Sequence, residues 1–571
     1  MEINEIKLKR QFIPENITFK WKELEPYFLN LQNRNIQSVN DLKKWLKDRS
    51  ELSAVLEEEF AWRYIKMNVD TQNEKHQKAF QFFIQNIHPK IAPLENELNK
   101  KLIANPHCNE LKKEKKYHLL LRAAKSELEI FREKNIPLFT QLEEKSQEYG
   151  SISAQMSIRH EGKEFTLQEA AKFLKSTDRS LREKIFLKIN QRRLKDSKSF
   201  NQLFDQLIKM RQEVAENADF KNYRDYMFKA MGRFDYSVED CFDFHQSIQK
   251  TVVPLADEMA KKRKSLLGLT ELRPWDTAMD ISGKKPLQPF NSAEELIEKT
   301  IDCFRQIDPF FGNCIQDMQK HNHLDLNSKK GKAPGGFNYP LYESGYPFIF
   351  MNAVGTARDV TTMIHEGGHA VHSILSHPLE LVEFKSLTSE IAELASMSME
   401  LISMDHWEIF YPKKEDLKRA KRDQLLDILS TLPWVATIDK FQHWIYTHQG
   451  HNEEERYQYW IQLTTEFGSN EINWDGFEDI RKNLWQKQLH LYEVPFYYIE
   501  YGMAQLGAIA IWKNYRENPK KTIENYKKAL SLGYTKTIPE IYESAGIDFN
   551  FSENYVEELS QFIFTEIQKT F

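Results

Sequence analysis

The sequence has 571 residues, a formal net charge of −5, 41% apolar residues and 29% charged residues. The length suits one large enzyme or several domains, and the composition is ordinary for a soluble globular protein. The slightly acidic balance excludes a broad basic surface of the kind that binds nucleic acid. Only 20 glycines and 20 prolines interrupt the chain, so helix breakers are few and a mostly helical fold is predicted.

Three features bear on the compartment of the protein. Residues 1–10 contain no apolar run of signal-peptide length. Residues 494–512 form the most apolar later stretch, but they include Glu500 and Gln505, which favours a buried helix over a membrane span. The four cysteines form no C-x-x-C pair, which favours free buried thiols in a reducing compartment. We therefore predict a cytoplasmic protein that has no membrane partner.

Residues 1–150 are predicted to form long amphipathic helices. One apolar stripe, with spacings of four and three residues, consists of Tyr117, Leu121, Ala124, Leu128 and Phe131. We interpret this region as a structural helical bundle. The predicted division is an N-terminal helical lobe at 1–200 and a catalytic helical domain at 201–571, although no linker marks the boundary.

Further along, a small hairpin is predicted between residues 154–159 and 164–167. Thr166 and Glu169 have the spacing of a capping box, and so do Ser292 and Glu295, which predicts a helix start at each place. Residues 416–431 and 438–447 are predicted to form two of the later helices.

The densest glycine cluster lies at residues 327–339. Gly331 and Lys332 are followed by Ala333 instead of Ser or Thr, so a phosphate-binding P-loop is excluded. Residues 346–351 are predicted to form a short buried strand. A glycine-bearing strand edge is suited to pairing with an extended peptide, and a plain connecting loop is the alternative.

The motif that carries most chemical information is H-E-x-x-H, at His365, Glu366 and His369. Residues four apart lie on one face of a helix, so both histidines can reach one metal ion. Catalytic zinc takes about three protein ligands and a water, and the glutamate beside the first histidine can act on that water as general base. The motif predicts metal-assisted hydrolysis, most often of a peptide bond.

The third ligand is not part of this motif. A metzincin would have Gly and His where this chain has His372 and Leu375, so that class is excluded. Glu393 and Glu400 lie seven apart and share a face of a following helix. We interpret Glu393 as the third ligand and Glu400 as the outer partner of a histidine.

Two glycines inside the motif, Gly367 and Gly368, each cost a helix about 1 kcal/mol relative to Ala. They predict a close approach at this point, either by the helix that carries Glu393 or by the substrate. His372 is expected to line the substrate cleft. The other histidines in polar surroundings are interpreted as solvated: His321, His323, His443, His448 and His451.

Several stretches of this chain resemble the thimet oligopeptidase family of zinc peptidases, in its oligoendopeptidase F branch. They are H-E-G-G-H-A-V-H at 365–372, E-L-A-S-M-S-M-E at 393–400, K-G-K-A-P-G-G-F at 330–337, G-R-F-D-Y at 232–236, P-F-Y-Y-I-E-Y-G at 495–502, and the region from Gly533 to Asp548. The resemblance implies a nearly all-helical fold with a small β-sheet near the active site. It also implies two helical lobes around a deep cleft, with zinc at its floor.

The resemblance also implies roles for individual residues. One zinc ion per chain would be bound by His365, His369 and Glu393, and Glu366 would be the general base. The family binds the substrate carbonyl oxygen with a histidine and tyrosines of its C-terminal segment. The matching candidates here are His490, Tyr497, Tyr498 and Tyr501. Their spacing departs from the thimet type, so which tyrosine faces the substrate stays open.

The predicted activity is cleavage of internal bonds in short peptides, by a monomer or weak homo-oligomer with no nucleic-acid partner. A carboxypeptidase or dipeptidase with the same zinc chemistry is one alternative. Such an enzyme needs a positive group for a terminal carboxylate. The second alternative is a helical peptide-binding scaffold with a structural metal. Glu366 argues against this alternative, because a structural site needs no general base. Zinc is not distinguished from manganese or cobalt by the sequence.

Overall fold

The computed structural model describes residues 8–386 and 388–571. Most of the described chain is α-helical, and its strands are short. The prediction of a predominantly helical fold with small sheets is therefore confirmed. Residues 1–7, part of the stretch in which no signal peptide was recognised, lie outside the described residues.

The helices are numbered in chain order. The first group is α1 (Trp21–Asn33), α2 (Val39–Val69), α3 (Glu74–Asn86), α4 (His88–Ala104), α5 (Cys108–Leu111), α6 (Lys115–Ile130), α7 (Ile136–Ala154), α8 (Leu167–Ala171) and α9 (Arg179–Lys195). The second is α10 (Ser197–Asn217), α11 (Tyr223–Ala230), α12 (Val238–Ser247), α13 (Val253–Leu266), α14 (Ala293–Ile307), α15 (Pro309–Lys320), α16 (Ala357–Ser376), α17 (Val382–Lys385) and α18 (Ser389–Ser403). The third is α19 (Lys414–Thr447), α20 (Glu453–Glu466), α21 (Glu478–Lys482), α22 (Leu489–Glu493), α23 (Tyr498–Glu517), α24 (Pro519–Leu530), α25 (Ile538–Ala545) and α26 (Glu553–Gln568).

The described strands form two small sheets. Strands β1 (Ser157–His160) and β2 (Lys163–Thr166) are an antiparallel hairpin. Strands β3 (Leu324–Asn327), β4 (Phe337–Tyr339) and β5 (Phe348–Ala353) form a sheet in the order β3-β5-β4. Because β5 pairs in parallel with β3 and antiparallel with β4, strand β4 lies at an edge of the sheet.

Local sequence signals account for several of these boundaries. The predicted hairpin is present, and its turn has positive φ at Glu161 and Gly162, as a tight two-residue turn requires. The side chains of Thr166 and Ser292 accept hydrogen bonds from the backbone N–H groups three residues later, so both predicted caps are confirmed. The two helices predicted on either side of Pro433 are instead one helix, α19, with this proline inside it.

The chain forms two compact units, and each is assembled from three segments. The first unit contains the described residues up to Phe131 together with Gln288–Leu417 and Gly507–Phe549. The second contains Arg132–Leu287, Lys418–Leu506 and Asn550–Phe571. The predicted boundary between lobes at residue 200 rests on the sequence and stays a prediction.

Within the first unit, distant segments share one core. Leu381 and Phe384 of the central segment pack in the same apolar cluster as Trp45 and other buried residues of the N-terminal helices. The backbone N–H of Val382 donates to the hydroxyl of Ser50 at 2.7 Å. The N-terminal helices therefore stabilise the segment that leads into α18.

None of the helices in the described part of the chain combines the length and the apolar character that a membrane span requires.

Candidate active site

The H-E-x-x-H motif lies in the middle of α16, and a strong cap fixes where this helix begins. Thr356 and Asp359 form a capping box, in which the Thr356 hydroxyl accepts from the Asp359 N–H. The Asp359 carboxylate accepts from the N–H groups of Val354 and Thr356, at 2.9 and 2.8 Å. This carboxylate therefore satisfies N–H groups of the connection from β5 and the first turn, and fixes the register of α16.

The two motif glycines permit close packing on both sides of α16. A Cβ added to Gly368 would lie 2.7 Å from the Cα of Ser396 and 3.0 Å from the carbonyl oxygen of Ala395. A Cβ added to Gly367 would lie 2.8 Å from the ring of Phe304. The sequence left open a helix or a substrate as the close neighbour, and the structure places α18 and α14 there.

The close contact of α16 with α18 brings three predicted ligands together. One ligand atom each of His365, His369 and Glu393 lies within 4.8 Å of the other two. The Glu393 Oε2 atom is 3.3 Å from His365 Nε2 and 3.8 Å from His369 Nε2. Glu393 is buried, whereas the two imidazoles keep about a fifth of their surface exposed, at 21% and 19%.

Two further residues of α18 contact the ligands and fix their orientation. Glu400 Oε1 accepts from His365 Nδ1 at 2.6 Å, which directs Nε2 of the same ring toward Glu393. The Ser396 hydroxyl lies 3.2 Å from Glu393 Oε2 and holds this carboxylate. The sequence predicted the contact of Glu400, whereas the contact of Ser396 was not predicted.

Glu366 lies beside this cluster and is itself buried. Burial raises the pKa of its carboxyl to about 7, and the nearby Glu393 and Glu400 act in the same direction. A carboxylate with a pKa near neutrality is suited to accept and return a proton. The Asn338 side chain donates to the Glu366 carbonyl oxygen at 3.2 Å, which ties edge strand β4 to α16.

The donor set has the chemistry of a zinc site. Tetrahedral zinc binds imidazole nitrogen and carboxylate oxygen at about 2.0–2.2 Å, so its ligand atoms lie about 3.2–3.6 Å apart. The distances from Glu393 to His365 and His369 are close to this range. Burial lowers the pKa of His369 to about 4. Burial acts in the same direction on His365, but hydrogen bonds to Glu393 and Glu400 outweigh it and raise the pKa of this ring well above its ordinary value. Because a metal ligand must be a neutral imidazole, zinc binding would displace a proton from His365. Two histidines and one glutamate leave a coordination position open, which is typical of a catalytic site.

The glycine-rich segment before α16 is fixed by a buried lysine. The Lys332 ammonium donates to the carbonyl oxygens of Asp325, Asn327 and Met351, at 2.9, 2.9 and 2.6 Å, and also to the Asp325 carboxylate. Its side chain is fully buried. Lys332 therefore joins β3 to β5, which agrees with the exclusion of a P-loop and leaves β4 as the edge strand.

The predicted C-terminal site residues form a group of their own in the second unit. The ring of His490 lies 4.9 Å from Tyr498, 5.9 Å from Tyr501 and 6.2 Å from Tyr497, measured between centroids. All four side chains are half-buried. The Gln488 amide contacts His490 Nδ1 at 2.7 Å. The roles predicted for these residues toward a substrate stay predictions.

The residue that holds this tyrosine segment was not singled out by the sequence. Arg233, from the G-R-F-D-Y stretch, forms a buried ion pair with Glu500 at 2.9 Å and donates to the carbonyl oxygen of Phe496. Its guanidinium lies over the rings of Phe228 and Tyr236. Phe496 has a φ of 70°, and its N–H donates to Gln442. The buried cation thus fixes the turn that leads into α23.

Three interpretations of histidines were wrong. His323 and His443 are buried and not solvated, because aromatic rings surround them in the folded chain. His372 is also buried, so it does not line an open cleft. Burial lowers the pKa of His372 to about 3, and neither ring nitrogen has a hydrogen-bond partner among the described residues.

Comparison with protein families gives two matches that together span most of the chain. The model of peptidase family M3 matches residues 172–561, and the model of the peptidase M3 N-terminal domain matches residues 16–131. The first match includes every residue of the metal-ligand cluster.

Individual relatives agree with these matches. An oligoendopeptidase F homolog of Borreliella burgdorferi is 23% identical over 385 residues, which cover 66% of this chain and 63% of that protein. A second homolog, from Mycoplasma genitalium, is 21% identical and covers 62% of this chain and 61% of its own length. The chain thus spans about three fifths of the length of these curated relatives.

Among solved structures, PZ peptidase A with an inhibitor superposes with a TM-score of 0.90 at 27% identity, over 98% of this chain and 99% of that one. This likeness extends the family match to the fold of nearly the whole chain. Since the first family model alone covers more than half of the sequence, the chain belongs to peptidase family M3, a family of metallopeptidase enzymes.

Proposed function

We propose that this protein is a zinc-dependent oligoendopeptidase that hydrolyses internal bonds of short peptides. One observation carries the proposal. His365, His369 and Glu393 converge within 4.8 Å, beside the buried carboxyl of Glu366. Membership of family M3 and the oligoendopeptidase names of the relatives support a peptide as the substrate.

In this proposal the three converging residues hold one zinc ion, and Glu400 positions His365. When bound, zinc lowers the pKa of a water ligand and polarises the carbonyl group of the substrate. With zinc held by two neutral imidazoles and the single carboxylate of Glu393, the metal would keep part of its positive charge. Such a site stabilises negative charge that develops on the substrate oxygen.

Glu366 moves the protons of the reaction. Its carboxylate accepts a proton from the attacking water and then delivers it to the amine that leaves. The buried environment that raises its pKa to about 7 makes both transfers possible near neutral pH. A general base of this kind contributes about 10²–10⁴-fold to the rate.

The substrate is proposed to lie along edge strand β4. An extended peptide can add to the free edge of a sheet through backbone hydrogen bonds. Because Asn338 of β4 bonds to the carbonyl of Glu366, a peptide paired with this strand would be positioned relative to the general base. Backbone pairing favours recognition of extended peptides with little dependence on their side chains.

The test is replacement of the general base. We expect Glu366→Gln to keep zinc bound while the turnover number for a fluorogenic peptide falls by about 10²-fold or more. Glu380→Gln is the matched control, because Glu380 pairs with Lys116 away from the cluster. Zinc content is measured by atomic spectroscopy on the same samples. Cleavage at the wild-type rate by the Glu366 variant would contradict the mechanism.

The same assay separates an endopeptidase from an enzyme that trims chain ends. A peptide blocked at both termini is incubated with the protein, and its products are identified by mass spectrometry. We expect cleavage within the blocked peptide, whereas a carboxypeptidase or dipeptidase would leave it intact. Metal analysis of the native protein distinguishes zinc from manganese or cobalt. The cytoplasmic location and the monomeric or weakly oligomeric state stay predictions from the sequence.

A further inference from the structure

A second group of potential metal ligands lies in the other compact unit, apart from the proposed catalytic residues in sequence. One ligand atom each of Cys241, Asp439 and His443 lies within 4.8 Å of the other two. His245 contacts one of them, with its Nε2 atom 2.9 Å from Asp439 Oδ2. His443 Nε2 lies 3.2 Å from the same oxygen. All four residues are at most 3% exposed.

The secondary structure explains why these side chains meet. Cys241 and His245 are four residues apart on α12, and Asp439 and His443 are four residues apart on α19. Residues at this spacing lie on one face of a helix. Each helix therefore contributes a pair of side chains to the same buried point, as helices do in many metal sites.

Hydrogen bonding within the protein accounts for only part of this group. His245 Nε2 and His443 Nε2 both lie near Asp439 Oδ2, and the Cys241 thiol donates to the carbonyl oxygen of Ser237 at 3.4 Å. Among the described residues, Nδ1 of His443, Nδ1 of His245 and Oδ1 of Asp439 have no hydrogen-bond partner. Buried polar atoms are normally hydrogen-bonded, so three unsatisfied ones in one cluster need an explanation.

We propose that Cys241, Asp439 and His443 bind a second, structural zinc ion, and that His245, already in contact with Asp439, closes the site as the fourth ligand. Zinc accepts thiolate, imidazole and carboxylate ligands, and structural sites are closed by four protein ligands. A thiolate and a carboxylate balance the charge of the cation while both imidazoles stay neutral, so the buried site carries no net charge.

The surroundings fit a structural role. The rings of Phe228, Phe242 and Phe496 pack around His443, with centroids 6.0, 5.0 and 5.6 Å from its imidazole ring. Phe228 and Phe496 also contact each other, at 6.3 Å between centroids. This apolar shell keeps water out and leaves no evident position for a substrate. Phe242 is 43% exposed, so one ring of this shell reaches the surface.

The site differs in kind from the proposed catalytic one, which has three ligands and no sulfur. A metal here would link α12 to α19, and it would stabilise the second unit by binding only the folded state. The inference does not depend on the proposed peptidase activity. It raises the expected zinc content from one ion per chain to two.

The first experiment is metal analysis of the full chain after reconstitution with zinc and removal of excess metal by gel filtration. We expect two zinc ions per wild-type chain, one in Cys241→Ala and one in His369→Ala. Cys303→Ala is the matched control, because Cys303 is an equally buried free thiol outside the cluster, and it should keep two. If the wild type binds one zinc ion and only His369→Ala removes it, the inference is overturned and the proposed function stands. If the wild type binds one zinc ion and only Cys241→Ala removes it, the second site stands and the proposed catalytic zinc site is contradicted.

The second experiment does not depend on the folding of a variant. Cobalt replaces zinc in the wild-type protein, and a thiolate ligand gives a sulfur-to-cobalt charge-transfer band in the near ultraviolet. Among the described residues, Cys241 is the one cysteine that lies in a group of potential ligands. We expect the band in the wild type and in Cys303→Ala, and its loss in Cys241→Ser. A fully cobalt-loaded wild type without the band would show that these residues form only a buried histidine–aspartate network.

Discussion

The candidate zinc ligands depend on individual neighbours that fix their orientation. Glu400 holds His365 through Nδ1, and the hydroxyl of Ser396 holds the carboxylate of Glu393. Each outer contact removes rotational freedom from a ligand before metal binds, which lowers the entropic cost of forming the site. The residues that contact the ligands are therefore as necessary for the geometry of the site as the ligands themselves.

Replacement of Glu400 tests this positioning role. We expect Glu400→Ala to weaken zinc binding by about 10–100-fold, because the His365 ring loses the partner that orients it. Zinc affinity is measured by competition with a chromophoric chelator. Glu380→Ala, at an outer ion pair, is the control and should keep the wild-type affinity. Equal affinities in the two variants would show that Glu400 does not position the ligand.

The tyrosine group permits a test of the predicted contact with the substrate oxygen. A phenol that donates only in the transition state should lower kcat by about 10²–10³-fold when it is changed to Phe, with little change in KM. We expect this result for at least one of Tyr497→Phe, Tyr498→Phe and Tyr501→Phe. Tyr459→Phe is the control, because this ring stacks on Trp444. Wild-type kcat in all three variants would remove the tyrosines from the mechanism.

At the scale of elements, the site depends on the distance between α16 and α18. Gly368 allows the backbone of α18 to approach within van der Waals contact, and this approach brings Glu393 to the two histidines. Helix pairs that contain no glycine at the contact are held farther apart by their side chains. Gly368 thus lowers the intrinsic stability of α16, but it allows Glu393 to reach the two histidines.

A methyl group at this contact tests the packing. We expect Gly368→Ala to lower the free energy of unfolding by about 1–3 kcal/mol through overpacking, and to weaken zinc binding. Gly150→Ala is the matched control within a helix. An added Cβ there meets no described atom within 4 Å, and the change should raise stability by up to about 1 kcal/mol. Urea denaturation measures both. A Gly368→Ala protein as stable as the control, with normal zinc content, would contradict this account.

At the scale of the whole molecule, the order of the chain differs from the order of the compact units. The first unit combines the N-terminal helices with α14 to α18 and the helices after Gly507. Its core includes Leu381 and Phe384 beside N-terminal residues such as Trp45. Residues that precede the motif by about three hundred positions therefore stabilise the segment next to the candidate ligands.

Fragments test whether residue 200 is a domain boundary. The predicted lobes would fold as separate fragments, 1–200 and 201–571. From the shared core of the first unit, we instead expect the fragment 201–571 to lack cooperative thermal unfolding and to lose zinc at the catalytic ligands. Circular dichroism and metal analysis provide the two measurements, with the full chain as the control. A cooperative, zinc-binding fragment 201–571 would support the boundary at residue 200.

Local chemistry explains what was predictable. The sequence by itself determined the helical character, the hairpin, the caps at Thr166 and Ser292, and the helix faces that His365 shares with His369 and Glu393 shares with Glu400. Each of these follows from spacing within one or two helices or from a few adjacent residues. Such interactions depend only on residues that are close in sequence.

Only the tertiary structure decided which distant segments meet. Arg233 reaches Glu500 across more than two hundred residues, and Cys241 with His245 meets Asp439 with His443. The same packing buries His323, His372 and His443 among neighbours that are remote in sequence. Burial and long-range contacts depend on how helices pack. The helical period determines on which face a residue lies, but it does not determine which element packs against that face.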